Sequence, residues 1–74
     1  MIICEFDLDE KYVKLYVNVK SLCIKRNLNY YKMIKICSSL YKQDHLYQNK
    51  YFYYLDQCYF FNGHLLIPNN KYIN

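Results

Sequence analysis

The fold of this chain is decided by residues 17–41, which read VNVKSLCIKRNLNYYKMIKICSSLY. We predict two short helices here, over about 19–26 and 30–42, joined by a tight polar turn. Asn18 precedes the first helix and Asn29 precedes the second. Asn is a favoured N-cap because its side-chain oxygen accepts a backbone N–H that the first helical turn leaves unpaired. The stretch therefore has the pattern of a helical pair with two capped starts.

The second helix is predicted to be amphipathic. At about 100° per residue, its apolar arc consists of Tyr30, Met33, Ile34, Cys37, Leu40 and Tyr41. The opposite arc consists of Tyr31, Lys32, Lys35, Ser38, Ser39 and Lys42. Such a helix packs on a neighbour with one side and presents hydrogen-bond donors with the other. A DNA-reading helix and an ordinary surface helix both have this division, so the pattern indicates the fold better than the function.

The composition is that of a small globular protein. The chain has 74 residues, 54% of them hydrophobic and 20% aromatic, with one Gly and one Pro, which predicts a single domain over residues 1–74. A chain this short buries a modest share of its surface, so a deep enclosed active site is hard to build. The eleven Tyr, together with many Lys, Asn and Ile, fit an AT-rich genome, such as that of a low-GC bacterium, its phage or a large virus.

The net charge of +4 is unevenly distributed along the chain. Four of the six acidic residues lie within residues 1–10, and all ten Lys and Arg come later. Residues 11–74 therefore carry ten positive and two negative charges, a surplus of +8. Such an asymmetry favours a polyanionic partner or an acidic patch on a protein, although solvated lysines are its ordinary alternative.

No membrane partner, metal or cofactor is predicted. The sequence has no stretch approaching the roughly 20 apolar residues that span a bilayer, and its start lacks the features of a signal peptide. We therefore expect a cytoplasmic protein, or a nuclear one in a eukaryotic host. The cysteines are expected to stay reduced in that compartment. They lack the close sequence spacing of zinc ligands, since they stand at Cys4, Cys23, Cys37 and Cys58.

Strands are predicted on both sides of the helical pair. Residues 1–6 and 12–17 are short apolar, β-prone runs that precede it. Residues 43–50 are polar and read as a loop or a frayed helix end. Residues 51–56, YFYYLD, fit either a strand or a third short helix, since Tyr and Phe favour strands but the length does not decide.

The sharpest local signal is Asn62-Gly63, a dipeptide that readily takes the positive φ angles of a type I′ turn. It predicts a β-hairpin over about 58–68, ended by Pro68, which cannot donate to a strand ladder. The tail, residues 69–74, is expected to fray. The predicted register pairs Phe61 with His64, Phe60 with Leu65, Tyr59 with Leu66 and Cys58 with Ile67.

Helix, turn, amphipathic helix and hairpin follow the order of parts in a winged helix-turn-helix. Over about residues 16–68 the chain resembles the excisionase and MerR-like family of small DNA-binding proteins. Val19–Cys23 is similar to the family's "v-K-x-L-A" segment, Asn27–Asn29 stands at its turn and cap, and Gly63–Pro68 resembles its wing. The second helix departs from the family pattern, because it begins with two Tyr where Ser, Arg or Thr is usual.

A shorter segment resembles a second family of DNA-binding proteins. Tyr16–Cys23, YVNVKSLC, is similar to the "yvNatkLC" segment of the KilA-N type of viral and phage domain. Less of the chain follows that pattern than follows the excisionase-like one.

The first resemblance implies an α+β winged helix-turn-helix with two or three helices, a small antiparallel sheet and a C-terminal β-hairpin. It implies a small non-enzymatic protein, excisionase-like or repressor-like, that binds double-stranded DNA with its second helix in the major groove and its hairpin as the wing. Lysines there reach guanine acceptors or phosphates, while hydroxyls mostly reach phosphates. The candidate contact residues are Lys20, Lys25, Arg26, Tyr31, Lys32, Lys35, Ser38, Lys42, Asn62 and His64.

Two alternatives stay open. The Tyr clusters suit a protein interface, so the chain is alternatively a phage-, virus- or mobile-element-encoded interaction module that inhibits a host nucleic-acid-handling protein, and a homodimer is a further option. Catalysis would need a Cys–His pair drawn from His45 or His64 and Cys37 or Cys58. No carboxylate or Gly-rich loop accompanies such a pair in the sequence, so no catalytic residue is predicted.

Overall fold

A computed structural model describes residues 1–68 of the chain, and the predicted fraying of residues 69–74 lies outside that range. The elements are β1 (Ile3–Phe6), β2 (Tyr12–Tyr16), α1 (Val19–Arg26), α2 (Tyr30–Cys37), a 3-10 turn (Lys42–His45), β3 (Leu46–Tyr47), β4 (Lys50–Tyr54), a second 3-10 turn (Leu55–Gln57), β5 (Tyr59–Phe61) and β6 (His64–Leu66). The coarse prediction of a small α+β protein with two helices and antiparallel strands is confirmed.

The main sheet merges two hairpins that are local in sequence. β1 pairs with β2, β3 pairs with β4, and an antiparallel β1–β4 ladder joins them in the order β2-β1-β4-β3. Across that ladder Cys4 lies opposite Tyr53, and Glu5 lies opposite Phe52. All four residues of β1 are buried, because a central strand is covered on both faces of its sheet. The undecided segment 51–56 is therefore mostly strand, followed by the second 3-10 turn.

One face of this sheet packs against the helices. Successive side chains of a strand point to opposite faces, and on this side Ile3, Glu5 and Phe52 face α1 and α2. We call it the helix face. Its buried core consists of Ile3, Tyr16, Val19, Leu22, Cys23, Met33, Cys37 and Phe52.

The other face packs against the C-terminal hairpin. Cys4 and Phe6 of β1 and Tyr53 of β4 are buried there with Ile67, and Leu65 of β6 packs against this cluster. We call it the hairpin face. The hairpin is therefore anchored on the face of the sheet opposite the helical pair. The sheet therefore lies between the hairpin, which was predicted to be the wing, and the helical pair.

The predicted caps of both helices are confirmed. The Asn18 side chain accepts the Ser21 N–H at 2.8 Å, and the Asn29 side chain accepts the Lys32 N–H at 2.9 Å. Asn27 ends α1 in the left-handed conformation, with φ of 54°, which Asn tolerates better than most residues. The predicted bounds of the first helix, 19–26, agree with α1.

The predicted end of the second helix at residue 42 is wrong, because α2 ends at Cys37. Two serines follow, and their hydroxyls compete with helical hydrogen bonding. The Ser38 hydroxyl donates to the Ile34 carbonyl at 2.7 Å, and the Ser39 hydroxyl donates to the Asp44 carboxylate at 2.8 Å. Lys42 consequently begins the first 3-10 turn instead of lying on α2.

The register predicted for the C-terminal hairpin is confirmed over β5 and β6, with Cys58 and Ile67 lying beyond the ladder. Asn62 and Gly63 have φ angles of 52° and 78°, as a type I′ turn requires.

Neither α1 nor α2, the helices within residues 1–68, combines the length and apolar character needed to cross a membrane.

Candidate nucleic-acid interface

The helical pair carries an uncompensated positive surface. Residues 11–43 contain eight Lys and Arg and no Asp or Glu, and two of the eight side chains form the ion pairs found within residues 1–68. Four exposed lysines on α1 and α2 have no acidic partner among the described residues: Lys20, Lys25, Lys32 and Lys35. Their ammonium groups are therefore available to an anionic ligand.

Lys32 and Lys35 lie one helical turn apart on α2. The Lys32 ammonium lies 4.7 Å from the centroid of the Tyr47 ring, a cation–π contact that orients it without neutralising it. Both lysines line a shallow cavity of about 290 Å³ that Ser39 and Asp44 also line. The Asp44 carboxylate already accepts the Ser39 hydroxyl. This part of the surface combines two cations, a serine and one acid that is already hydrogen-bonded.

Aromatic rings stand at the start of α2. The rings of Tyr30 and Tyr31 meet edge to face with centroids 5.4 Å apart, and Tyr31 is 76% exposed. Tyr30 also borders an open groove of about 610 Å³ between α1 and the start of α2, with Lys20 and Ile24 on its other side. Exposed rings beside ammonium groups provide stacking or apolar contact together with phosphate contact.

Arg26, one of the candidate DNA-contact residues, is engaged inside the protein. Its Nη1 lies 2.8 Å from Oε1 of Glu5, a carboxylate that is only 3% exposed. The Tyr16 hydroxyl donates to the same oxygen at 2.8 Å, and burial together with this bond raises the pKa of Tyr16. The guanidinium also lies 5.5 Å from the centroid of the Phe52 ring. Arg26 therefore holds α1 against β1 instead of facing outward with the lysines.

Lys42 also stands apart from the other lysines. Its Nζ lies 2.6 Å from Oε2 of Glu10, in an ion pair whose two side chains are partly exposed, and 5.5 Å from the centroid of the Tyr51 ring. This position follows from the early end of α2, which places Lys42 on the 3-10 turn. The prediction that it shares the outer arc of the second helix is wrong.

The remaining candidates divide between the two faces. Ser38 caps the end of α2 with its hydroxyl bonded to a carbonyl of the helix. Asn62 and His64 are exposed at the hairpin, whose strand β6 is anchored on the hairpin face. The candidates that lie exposed on α1 and α2 are thus Lys20, Lys25, Tyr31, Lys32 and Lys35.

His45 was expected in a loop, yet it is fully buried. Its ring stacks on Tyr53 with centroids 3.7 Å apart, and its nitrogens Nδ1 and Nε2 lie 2.8 Å from the carbonyl oxygens of Phe52 and Ser39. Burial lowers the pKa of His45, although both carbonyls oppose this effect. The ring nitrogens therefore face carbonyl oxygens, not a thiol, and within residues 1–68 no three His, Cys, Asp or Glu side chains come together as metal ligands.

Sequence reasoning missed the buried roles of Glu5 and His45. Glu5 stands inside the apolar run ICEF, and a carboxylate in such a run needs a buried cationic partner; that was the available signal. His45 lies in the polar segment 43–50, which gives no comparable sign of burial.

Comparison of the chain with family models, curated proteins and solved structures finds no match.

Proposed function

We propose that this protein is a small non-enzymatic DNA-binding protein, excisionase-like or repressor-like, that places its helical pair against double-stranded DNA. The observation that carries the proposal is the set of four exposed lysines without acidic partners on α1 and α2. Their affinity for phosphates is non-specific by itself, because lysine–phosphate contacts position a protein on DNA without reading its sequence.

The dimensions of α2 support its role in the major groove. An α-helix with its side chains is about 10–12 Å in diameter, and the B-DNA major groove, about 12 Å wide, admits one; α2 has eight residues, about two turns, to lie in it. Recognition helices contact base edges mainly with residues near their N-terminus, where Tyr31 and Lys32 lie. Lys35, one turn further along, would reach a base or a phosphate, while Lys20 and Lys25 would contact the backbone from α1.

The proposal keeps the helix-turn-helix part of the excisionase-like resemblance and omits the wing. The hairpin is anchored on the opposite face of the sheet, so one straight duplex lying on α2 would not also be gripped by Asn62 and His64 as a wing grips it. The KilA-N-like segment gives separate support, because it also implies DNA binding and its residues set up α1: Asn18 caps the helix, and Leu22 and Cys23 are buried beneath it.

The test is fluorescence anisotropy with a labelled duplex of mixed sequence, over salt from about 50 to about 200 mM. Affinity should fall steeply across this range. The variant Lys32→Glu/Lys35→Glu should lose at least about tenfold in affinity at low salt, and the slope of log K against log salt should shrink by about 2 for two lost phosphate contacts.

The matched control is Lys11→Glu, set against the single change Lys32→Glu; it makes the same charge change at a lysine off the helices, in the turn before β2. Charges beyond about 10 Å from the contact are largely screened at these salt concentrations, so the control should bind within about threefold of the parent. Circular dichroism would verify that both variants are folded. Equal losses in the two variants, or binding that does not respond to salt, would refute the proposal.

A second candidate function is favoured by the outer surface of the hairpin. Phe60 is 71% exposed and Phe61 is 62% exposed, in a segment, residues 57–68, that contains no charged residue. Exposed apolar patches mark docking surfaces, and this one would suit an interaction module that inhibits a host nucleic-acid-handling protein. Absent duplex binding in the anisotropy experiment would favour this candidate, and sedimentation of the parent against Phe60→Ser/Phe61→Ser would test the homodimer option.

A further inference from the structure

Two cysteine side chains meet on the hairpin face. Cys4 is fully buried in β1, opposite Tyr53 of β4. Cys58 follows the second 3-10 turn, where its N–H donates to the Leu55 carbonyl at 2.9 Å and its sulfur lies 3.5 Å from the Tyr54 carbonyl oxygen. Tyr54 is adjacent in β4 to the residue opposite Cys4, and paired strands lie about 4.8 Å apart. Cys58 also packs against the buried cluster of the hairpin face that contains Cys4. These contacts place the Cys58 thiol beside the Cys4 sulfur, to which it donates a hydrogen bond.

We propose that Cys4 and Cys58 form an oxidant-reactive dithiol that hydrogen peroxide closes to a disulfide. The site is a covalent modification site that ties the base of the hairpin to the central strand of the sheet. It stands independently of DNA binding, because it uses no residue of the helical pair.

The two sulfurs have complementary properties. The hydrogen bond from the Cys58 thiol lowers the pKa of Cys4, against the opposing effect of burial, whereas the same bond and burial raise the pKa of Cys58. Cys4 is therefore the sulfur of the pair that more readily forms a thiolate. Cys58 is only half-buried, which gives a small oxidant access to this pair. A thiolate, unlike a thiol, is the reactive nucleophile.

The reaction balances in two steps. The Cys4 sulfur, as the thiolate, attacks one oxygen of a hydrogen peroxide molecule that enters beside the half-buried Cys58; the O–O bond breaks, and the departing hydroxide takes a proton to leave as water. The Cys58 sulfur then attacks the sulfur of the resulting sulfenic acid, and its hydroxyl leaves as a second water with the remaining proton. Two thiols and one peroxide thus give one disulfide and two waters.

The helix face supplies an internal control, because it also holds two cysteines. Cys23 and Cys37 are both buried in its core. Burial raises the pKa of both thiols, that of Cys37 to about 12. These two thiols should stay protonated and unreactive while the folded protein is treated with peroxide.

The experiment is peroxide treatment of the folded protein, followed by alkylation in denaturant and tryptic peptide mapping. Cleavage after Lys and Arg puts each cysteine on its own peptide: Cys4 on 1–11, Cys23 on 21–25, Cys37 on 36–42 and Cys58 on 51–71. We expect a cross-linked peptide of 1–11 with 51–71, lighter than its two parts by two hydrogens, while the other two cysteines are fully alkylated.

Variants and stability give two further readouts. Cys4→Ala should abolish the cross-link and leave Cys58 alkylatable after treatment, and Cys58→Ser should abolish it and leave Cys4 oxidised beyond the sulfenic acid. In the parent, oxidation should raise the melting temperature by about 10 °C or more, since the bond closes a long loop, and dithiothreitol should reverse the rise. A cross-link between chains, a Cys23–Cys37 bond formed as fast, or Cys4 sulfinic acid without a cross-link would overturn the proposal.

Discussion

The two faces of the main sheet differ in whether a buried polar side chain of the sheet has a hydrogen-bond partner. On the helix face, the Glu5 carboxylate receives hydrogen bonds from both Tyr16 and Arg26. On the hairpin face, the Tyr53 hydroxyl is buried with no hydrogen-bond partner among the described residues. The helices are thus held in one geometry by directional bonds to β1, whereas apolar contacts such as those of Ile67 and Leu65 hold the hairpin.

The outer surfaces of the helical pair and of the hairpin differ in charge. The helical pair presents lysines without acidic partners, and the hairpin presents uncharged aromatic side chains. One small sheet therefore separates a charged side from an uncharged one, and each side suits a different class of partner.

The largest expected effect lies on the helix face, at Glu5. The change Glu5→Ala leaves the Arg26 guanidinium and the Tyr16 hydroxyl without their acceptor, and we expect it to lower the free energy of unfolding by about 3 kcal/mol. Urea denaturation at neutral pH measures the loss. Glu10→Gln breaks the exposed ion pair with Lys42 and should cost less than about 1 kcal/mol. Similar losses in both variants would show that the buried carboxylate does not hold the helices.

A loss of stability of intermediate size is expected on acidification. It comes from protonation of His45, whose ring stacks on Tyr53 of the hairpin face. Because the pKa of His45 is lowered from its ordinary value of 6.5 in the folded protein, the unfolded chain binds the proton first as pH falls. His45 should therefore contribute stability that is full above pH 6.5 and is lost below it, with a slope of at most about 1.4 kcal/mol per pH unit for one proton.

Urea denaturation between neutral and mildly acidic pH measures this slope. His45→Gln should flatten it in that window, whereas His64→Gln, at an exposed histidine, should retain it. Stability that rises on acidification would indicate that the two carbonyls beside His45 outweigh its burial.

The smallest expected effect is a gain in stability, and it comes from a substitution on the hairpin face. Tyr53→Phe removes a buried hydroxyl that has no partner within residues 1–68, so it should stabilise the protein by about 1 kcal/mol. The matching change on the helix face, Tyr16→Phe, removes a hydrogen bond to Glu5 and should destabilise by about 1 kcal/mol. Thermal melting of the two variants checks the signs, and a loss of stability in Tyr53→Phe would indicate a partner for that hydroxyl.

The sequence was sufficient for features that depend on neighbouring residues. The two Asn caps and the Asn-Gly turn were predicted correctly because each is a contact within a few residues. The bounds of α1 followed from its caps at both ends. The end of α2 was not predicted, because a helical period continues through Ser38 while its hydroxyl in fact closes the last turn.

Partners distant in sequence could not be predicted in the same way. Arg26 reads as an exposed cation on a helix, and only the pairing of β1 with the rest of the sheet reveals its carboxylate, 21 residues earlier. The position of the hairpin likewise depends on which face of the sheet Leu65 and Ile67 cover. For the candidate interface, sequence supplied the lysines, and the fold decided which of them remain without acidic partners.

The joining of two local hairpins by the single β1–β4 ladder has a kinetic consequence. β1 and β2, β3 and β4, and the helical pair can each form from contacts between near neighbours, but the β1–β4 ladder must close a loop of more than forty residues at an entropic cost that local contacts avoid. That closure is the natural bottleneck of folding. Substitutions along the ladder should then change mainly the folding rate, and substitutions confined to the local units should change mainly the unfolding rate.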